Sequence, residues 1–112
     1  MQKSKLLKLC QAWQKTLRIQ DWDIAVEMVG HLDDGASARV EYFTENRTAF
    51  INIDRNSNDY ERSLVHELLH VQTAHLRDII KHDSMEDILQ EQVVNCLAQV
   101  LVDLKRGAGI TK

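Results

Sequence analysis

The chain has 112 residues, of which 44% are hydrophobic and 28% are charged. This length and balance argue against disorder and predict a globular chain that forms one domain over residues 1–112. Lys and Arg total 14, Asp and Glu total 17, and the resulting net charge of −3 does not favour nucleic acid as the main partner.

The sequence carries no sign of export or of membrane insertion. No apolar run approaches the roughly 20 residues that a membrane span needs. Residues 1–11 mix lysines with apolar residues and lack a small-residue cleavage site, so they are not typical of a signal peptide. Cys10 and Cys96 form no Cys-x-x-Cys pattern, and we expect reduced, buried thiols. These features together predict a cytoplasmic protein.

The first half of the chain changes from a helical pattern to strand patterns. A helix over residues 4–17 places its apolar residues at three- and four-residue steps. Apolar and polar residues then alternate over 23–29, 36–43 and 49–54, which predicts three strands. The connections between these strands are short and polar, and they favour an antiparallel meander.

The second half returns to a helical pattern. Asn58 and Glu61 form a capping-box pattern for a helix that begins at residue 59 or 60 and continues to about residue 80. A second pattern of this kind begins at Ser84, and the helix that follows is expected to end at Gly107. One helix, three strands and two helices in this order predict an α+β fold.

Residues 66–70, with the sequence HELLH, are the most informative part of the chain. On a helix, His66 and His70 project side by side because residues four apart differ by only about 40° in direction. Two such imidazoles can bind the same zinc ion, and Glu67 beside them can accept a proton from an attacking water. The alternative is an amphipathic helix whose histidines bind no metal. The apolar flanks favour a metal, since two unpaired buried imidazoles would be costly.

A catalytic zinc ion needs a third protein ligand. The extended metzincin signature would need Gly at position 73 and His at position 76, but these residues are Thr73 and Leu76. The remaining candidates are His75, Asp78, His82, Glu86, Asp87 and Glu91. In a helical hairpin with its turn near Lys81, His70 and Glu91 both lie ~15–17 Å from the turn. The other candidates lie nearer the turn or are rotated away, so the spacing selects Glu91.

The surroundings of Glu91 support this choice. Glu91 lies within an otherwise apolar pattern, where a carboxylate needs a partner and a metal ion supplies one. The alternative is that Glu91 points outward among polar neighbours. Asn95, one turn later, would share the face of Glu91 and orient a ligand side chain, or it is simply an exposed residue.

Residues 66–98 resemble the gluzincin clan of zinc metallopeptidases. The pattern His66-Glu-x-x-His70 followed by Glu91-x-x-x-Asn95-x-x-Ala98 is particularly similar to the ImmA/IrrE-like and minimal gluzincin peptidases. The order of the predicted elements is also like theirs. Val94 is a departure, since ImmA/IrrE-like relatives tend to have Ala at that position.

The resemblance implies a zincin-like fold with an N-terminal helix, a small, largely antiparallel three-stranded sheet, an active-site helix and a C-terminal glutamate helix. It implies one zinc ion per chain held by His66, His70 and Glu91, with Glu67 as the general base. The implied activity is hydrolysis of a peptide or protein substrate, which relatives bind along a sheet edge. The alternative is a zinc-binding regulatory or protein-interaction module with little or no turnover.

A donor that stabilises the developing oxyanion is also expected. The sequence leaves four candidates without a choice between them. They are Tyr42, Tyr60, His75 and His82.

Overall fold

The computed structural model of the chain describes residues 3–32, 35–74 and 84–107. Its elements in chain order are α1 (Lys3–Leu17), β1 (Asp23–Val29), β2 (Ala38–Phe43), β3 (Thr48–Asp54), α2 (Tyr60–Gln72) and α3 (Ser84–Arg106). The predicted α+β class is confirmed. Helix α2 ends at Gln72 with Thr73 as its C-cap, so the prediction that the motif helix continues to about residue 80 is wrong; the hydroxyl and the backbone N–H of Thr73 both donate to the carbonyl of Leu69 there. The predicted turn at Lys81 lies outside the described residues. No helix in the described ranges is long and apolar enough to cross a membrane.

Helix α1 uses its apolar positions to cover the core. Leu6, Cys10, Trp13 and Leu17 are buried, at the three- and four-residue steps that predicted the helix. Gln14 is buried as well, and its amide donates hydrogen bonds to the carbonyls of Ile19 and Trp22, at 3.2 and 2.9 Å. These bonds hold the turn that leads from α1 into β1.

The sheet is mixed, with the strand order β1-β3-β2. Strand β1 is parallel to β3, and β2 is antiparallel to β3, so the predicted antiparallel meander is wrong. The tight turn between β2 and β3 forms as expected, but β1 and β2, which follow each other in the chain, lie at opposite edges of the sheet. Strand β3 takes the centre because Ala49, Ile51 and Ile53 are almost completely buried there. A central strand has a neighbour on each side, so its core-facing side chains lose the most contact with water.

The strand register places the buried apolar positions on one face of the sheet. Ile51 lies between Val26 of β1 and Val40 of β2, and Ile53 lies between Met28 and Ala38. This face packs on the helices, as the alternation of the sequence predicted. The opposite face carries exposed residues, among which the rings of Phe43 and Phe50 meet edge to face at 6.3 Å.

Helix α2 begins at Tyr60 and is capped by Asp59, whose carboxylate accepts a hydrogen bond of 3.1 Å from the backbone N–H of Arg62. The start agrees with the prediction, but the capping residue is Asp59 and not Asn58. The buried aliphatic residues of α2 are Leu64, Val65, Leu68, Leu69 and Val71. Helix α2 therefore contributes its apolar side to the core, which leaves the remaining side for polar contacts.

Glu61 does not complete a capping box; its side chain links three helices instead. It accepts a hydrogen bond of 2.7 Å from the indole N–H of Trp13 on α1, and it pairs with Lys105 on α3. Arg106 donates to Glu61 at 3.2 Å and to the Asp59 carboxylate through two hydrogen bonds of 3.0 Å. These contacts fasten the end of α3 to the start of α2.

The same contacts change the pKa values of both carboxyl groups. Burial raises the pKa of Glu61, but the hydrogen bonds from Lys105 and Trp13 outweigh burial, so the pKa lies below its usual value. The hydrogen bond from Arg106 is the main cause of the lowered pKa of Asp59.

The two cysteines have different surroundings. Cys10 is buried in the core, and burial raises the pKa of its thiol to about 11. Cys96 is exposed on α3, so the prediction of two buried thiols is wrong for Cys96. The apolar residues of α3 outnumber those that its packed side can bury, and Cys96 lies on the other side.

We expect Glu61→Gln to lower the free energy of unfolding by roughly 1–3 kcal/mol at neutral pH, because the charged donors lose their carboxylate. Because folding lowers the pKa of Glu61, its contribution is present above the unfolded pKa, about 4.3. That contribution is lost as the pH falls through the folded pKa. Urea unfolding at neutral pH and at about pH 3 measures this contribution. Between these two pH values, the free energy of unfolding should fall less in the variant than in the wild type.

The matched control is Glu45→Gln, which changes an exposed carboxylate in the turn between β2 and β3. We expect this control to stay within about 0.5 kcal/mol of the wild type. Equal effects of the two substitutions at neutral pH would contradict the role of Glu61.

Candidate metal centre

His66 and His70 lie one turn apart on α2, at the border between its buried and exposed sides. Their ring centroids are 5.1 Å apart, and the ring planes are tilted by 55°. The buried neighbours Val65, Leu68 and Leu69 hold this part of the helix against the core. The histidines are thus presented side by side from a rigid element, as the spacing predicted.

Glu91 of α3 faces both histidines. One carboxylate oxygen lies 2.7 Å from Nε2 of His66, and the other lies 3.1 Å from Nε2 of His70. The side chain of Glu91 is 56% exposed, so Glu91 sits at the rim of the contact between the helices and not within it. Glu91 therefore contacts the histidines and does not point outward among polar neighbours, which was the alternative.

The three side chains fit the requirements of a zinc ion. One ligand atom from each of His66, His70 and Glu91 lies within 4.8 Å of the other two. Tetrahedral ligands at ~2.0–2.1 Å from zinc are about 3.3 Å apart, so only small side-chain movements are needed. Two imidazole nitrogens and one carboxylate oxygen form a donor set that is common in catalytic zinc sites.

Contacts on either side of Glu91 set its height along α2. Gln90 donates a hydrogen bond of 3.1 Å to the hydroxyl of Thr73, and Arg62 donates one of 3.0 Å to the side-chain oxygen of Gln99. The two helices therefore run antiparallel with a defined register. The antiparallel packing that was assumed in selecting Glu91 is therefore present, although α2 ends at Gln72 and the turn lies outside the described residues.

Glu67 is buried and lines the same pocket as the histidines. Burial raises the pKa of its carboxyl to about 7, and the negative charge of Glu91 adds to the rise. A cation held by the histidines and Glu91 would lower this pKa again through its charge.

The pocket has a volume of about 340 Å³ and lies between α2, α3 and the start of β2. Residues 36–38 form one of its walls. Asp54 holds this segment, because its backbone N–H donates to the carbonyl of Ser37 at 2.8 Å and its carboxylate accepts from the N–H of Leu32 at 3.2 Å. The β2 edge of the sheet thus opens onto the candidate metal centre.

None of the four predicted oxyanion donors is found in the pocket among the described residues. Tyr42 and Tyr60 do not line this pocket, and His75 and His82 lie outside the described residues. Asn95 lines the pocket, as its position one turn after Glu91 suggested.

Arg62 also lines the pocket, although it was not among the site residues predicted from the sequence. The available signal was its position four residues before His66, on the same face of the helix.

Comparison with known proteins found no matching family model, no matching curated protein and no matching solved structure. The resemblance to gluzincins therefore stays a prediction that depends on residues 66–98.

We expect the chain, purified without metal-affinity resin, to bind about one zinc ion, because the three donors can surround a single ion. Zinc at about a hundred times its dissociation constant stabilises a native protein by ~2.7 kcal/mol. For a chain of this size, that corresponds to a rise in Tm of about 10 °C. Elemental analysis and thermal unfolding with and without a chelator measure the two quantities.

His66→Ala should abolish both the bound zinc and the effect of the chelator on Tm. His31→Ala is the matched control, since His31 is exposed and does not line the pocket. Equal zinc content in the two variants would show that His66 is not a ligand.

Proposed function

We propose that this chain is a zinc-dependent metallopeptidase of the gluzincin type, which hydrolyses a peptide or protein substrate. The observation that carries the proposal is the meeting of His66, His70 and Glu91 beside the buried Glu67 in one open pocket. A chance pair of histidines would not require a carboxylate from another helix at 2.7 and 3.1 Å. The exposed free thiol of Cys96 is in keeping with a reducing, cytoplasmic setting.

A zinc ion held by His66, His70 and Glu91 would supply Lewis-acid chemistry, which acidifies water and polarises a carbonyl group. In this proposal Glu67 accepts the proton of the attacking water and returns it to the leaving amine. Burial suits this role because a carboxylate that is poorly solvated is a stronger base than an exposed one.

Strand β2 supports an extended substrate. It is an edge strand, and its first residue, Ala38, lines the pocket together with Ala36 and Ser37. A peptide that paired with this edge through backbone hydrogen bonds would run past the metal ligands. Such pairing recognises the backbone and needs no particular side chain.

Arg62 supports a further part of the mechanism. Arg62 lines the pocket, and its positively charged guanidinium donates the hydrogen bond of 3.0 Å to Gln99. Gln99 is itself oriented by a hydrogen bond of 2.9 Å to Asp103. We assign to Arg62 the stabilisation of negative charge that develops on the substrate oxygen.

The first test is Glu67→Gln. We expect a loss of hydrolysis on the order of 10²–10⁴-fold, because the amide cannot accept the proton. Zinc content should not change, since Glu67 is not one of the three ligands. Cleavage of a peptide library by purified, zinc-loaded protein measures the activity.

The matched control is Glu27→Gln, an exposed position on β1. Activity that survives in Glu67→Gln would point to a contaminating peptidase and refute the mechanism.

The second test is Arg62→Gln. We expect kcat to fall on the order of 10²-fold with little change in KM or zinc content, because one charged donor to the transition state is lost. Arg62→Lys should recover part of the rate, since it keeps the charge. Arg55→Gln, at an exposed position after β3, is the control. An unchanged kcat in Arg62→Gln would exclude the assigned role.

A metal-binding module with little turnover is the second candidate function. The pocket volume of about 340 Å³ is at the low end of the roughly 300–1,000 Å³ of ligand sites, so the pocket leaves little room for a deep specificity cleft. A partner protein that binds the wild type and Glu67→Gln equally, and is never cleaved, would support this function over hydrolysis.

A further inference from the structure

Helix α3 carries a second apolar side that is largely exposed in the described parts of the chain. We call it the outer stripe; its members are Leu89, Val93, Cys96, Leu97, Val100 and Leu104. The five aliphatic members are 43–56% exposed, and Cys96 in the middle is an exposed free thiol. At about 100° per residue, the six positions fall within roughly 100° of the helix circumference. They form one continuous strip.

The outer stripe is separate from the packed side of α3. Val94, Ala98 and Val102 are buried in the core, and the carboxylate of Glu91 faces His66 and His70. A helix that is apolar on both sides is typical of one that is covered on both sides. The outer stripe lies away from Glu91, so a partner on it would leave the candidate metal centre open.

The outer stripe supplies about half of the surface that a stable protein interface needs from each partner. At about 80 Å² for each half-exposed Leu or Val, the five aliphatic residues present on the order of 400 Å² of apolar surface. A stable interface buries about 800 Å² from each partner, so polar neighbours must supply the remainder. Gln92 and Gln99 lie beside the stripe and can do so without adding charge.

The positions in the outer stripe are symmetric about the midpoint between residues 96 and 97. Leu89 and Leu104 are equally far from it, as are Val93 and Val100, and Cys96 and Leu97. Two α3 helices packed antiparallel about a two-fold axis at this midpoint would bring each residue against its symmetric counterpart. Such a self-complementary pattern is the requirement of an isologous dimer interface.

The charges of α3 permit this pairing. Between Leu89 and Leu104 the sequence has only two charged residues, Glu91 and Asp103. Glu91 is in contact with the histidines, and Asp103 accepts a hydrogen bond of 2.9 Å from Gln99. No charge lies within the outer stripe itself, so two copies can approach without like charges meeting.

We propose that the outer stripe is the interface of a symmetric dimer, in which α3 packs antiparallel against α3 of a second copy of this chain. The dimer does not depend on the metal site or on hydrolysis. The small interface area predicts a concentration-dependent equilibrium between monomer and dimer.

The test measures association of the full chain by sedimentation equilibrium, from low micromolar to near-millimolar concentration. Val93→Glu should weaken association at least about tenfold, because it places a charge in the apolar interface. Val100→Lys should do the same. The double variant should associate again, because the carboxylate introduced at position 93 would then face the ammonium group introduced at position 100 of the second copy.

Phe50→Glu is the matched control, since Phe50 is also a half-exposed apolar residue, on the open face of the sheet. We expect it to leave association unchanged. Circular dichroism and zinc content of every variant separate a failure to dimerise from a failure to fold, and from a failure of the metal site.

A short bis-maleimide supplies an independent measurement. It should cross-link the wild type through the two Cys96 thiols, which lie next to the proposed axis, whereas Cys96→Ser should give no cross-linked dimer. Buried Cys10 should not react.

A chain that stays monomeric at every concentration would overturn the proposal and leave the outer stripe to another protein or another segment. A dimer that Val93→Glu does not weaken would also overturn it. Single variants that dissociate and a double variant that does not recover would refute the antiparallel register.

Discussion

The antiparallel contact between α2 and α3 is the constraint on which the candidate site depends. At one end of the contact, Asp59 and Glu61 bind Arg106, and near the other end Thr73 binds Gln90. Helices are stiff, so contacts at both ends determine the height of every residue between them. The position of the Glu91 carboxylate opposite two imidazoles follows from this register and from no local feature of α3.

Helix α2 shows how the surroundings of a carboxylate determine its chemistry. Glu61 and Glu67 are both buried on the same helix, less than two turns apart. Glu61 receives hydrogen bonds from Trp13, Lys105 and Arg106, and its pKa is lowered. Glu67 lies at the pocket near the negative charge of Glu91, and its pKa is raised. The first carboxylate suits a structural contact, and the second suits proton transfer.

The two sides of α3 have different roles. The inner side contributes Val94, Ala98 and Val102 to the core, and its edge contributes Glu91 and Asn95 to the pocket. The outer stripe takes no part in either. A chain of this length has a small core, which cannot cover both apolar sides of α3. The outer stripe is complementary to itself, so a second copy of the chain is the proposed partner.

The sequence by itself determined the α+β class, the face of each strand that is buried, and the presence of His66 and His70 on one side of a helix. These features depend on local periodicity, which neighbouring residues in the chain define. The tertiary structure alone decided that β3 lies between β1 and β2, that Glu61 links three helices, and that Arg62 enters the pocket. Short connections permit several strand orders, and contacts between residues 13, 61 and 105 leave no periodic signal. Glu91 belongs partly to each group. Helix geometry predicted its position along α3 relative to His70, whereas its contact with both histidines required the packed helices.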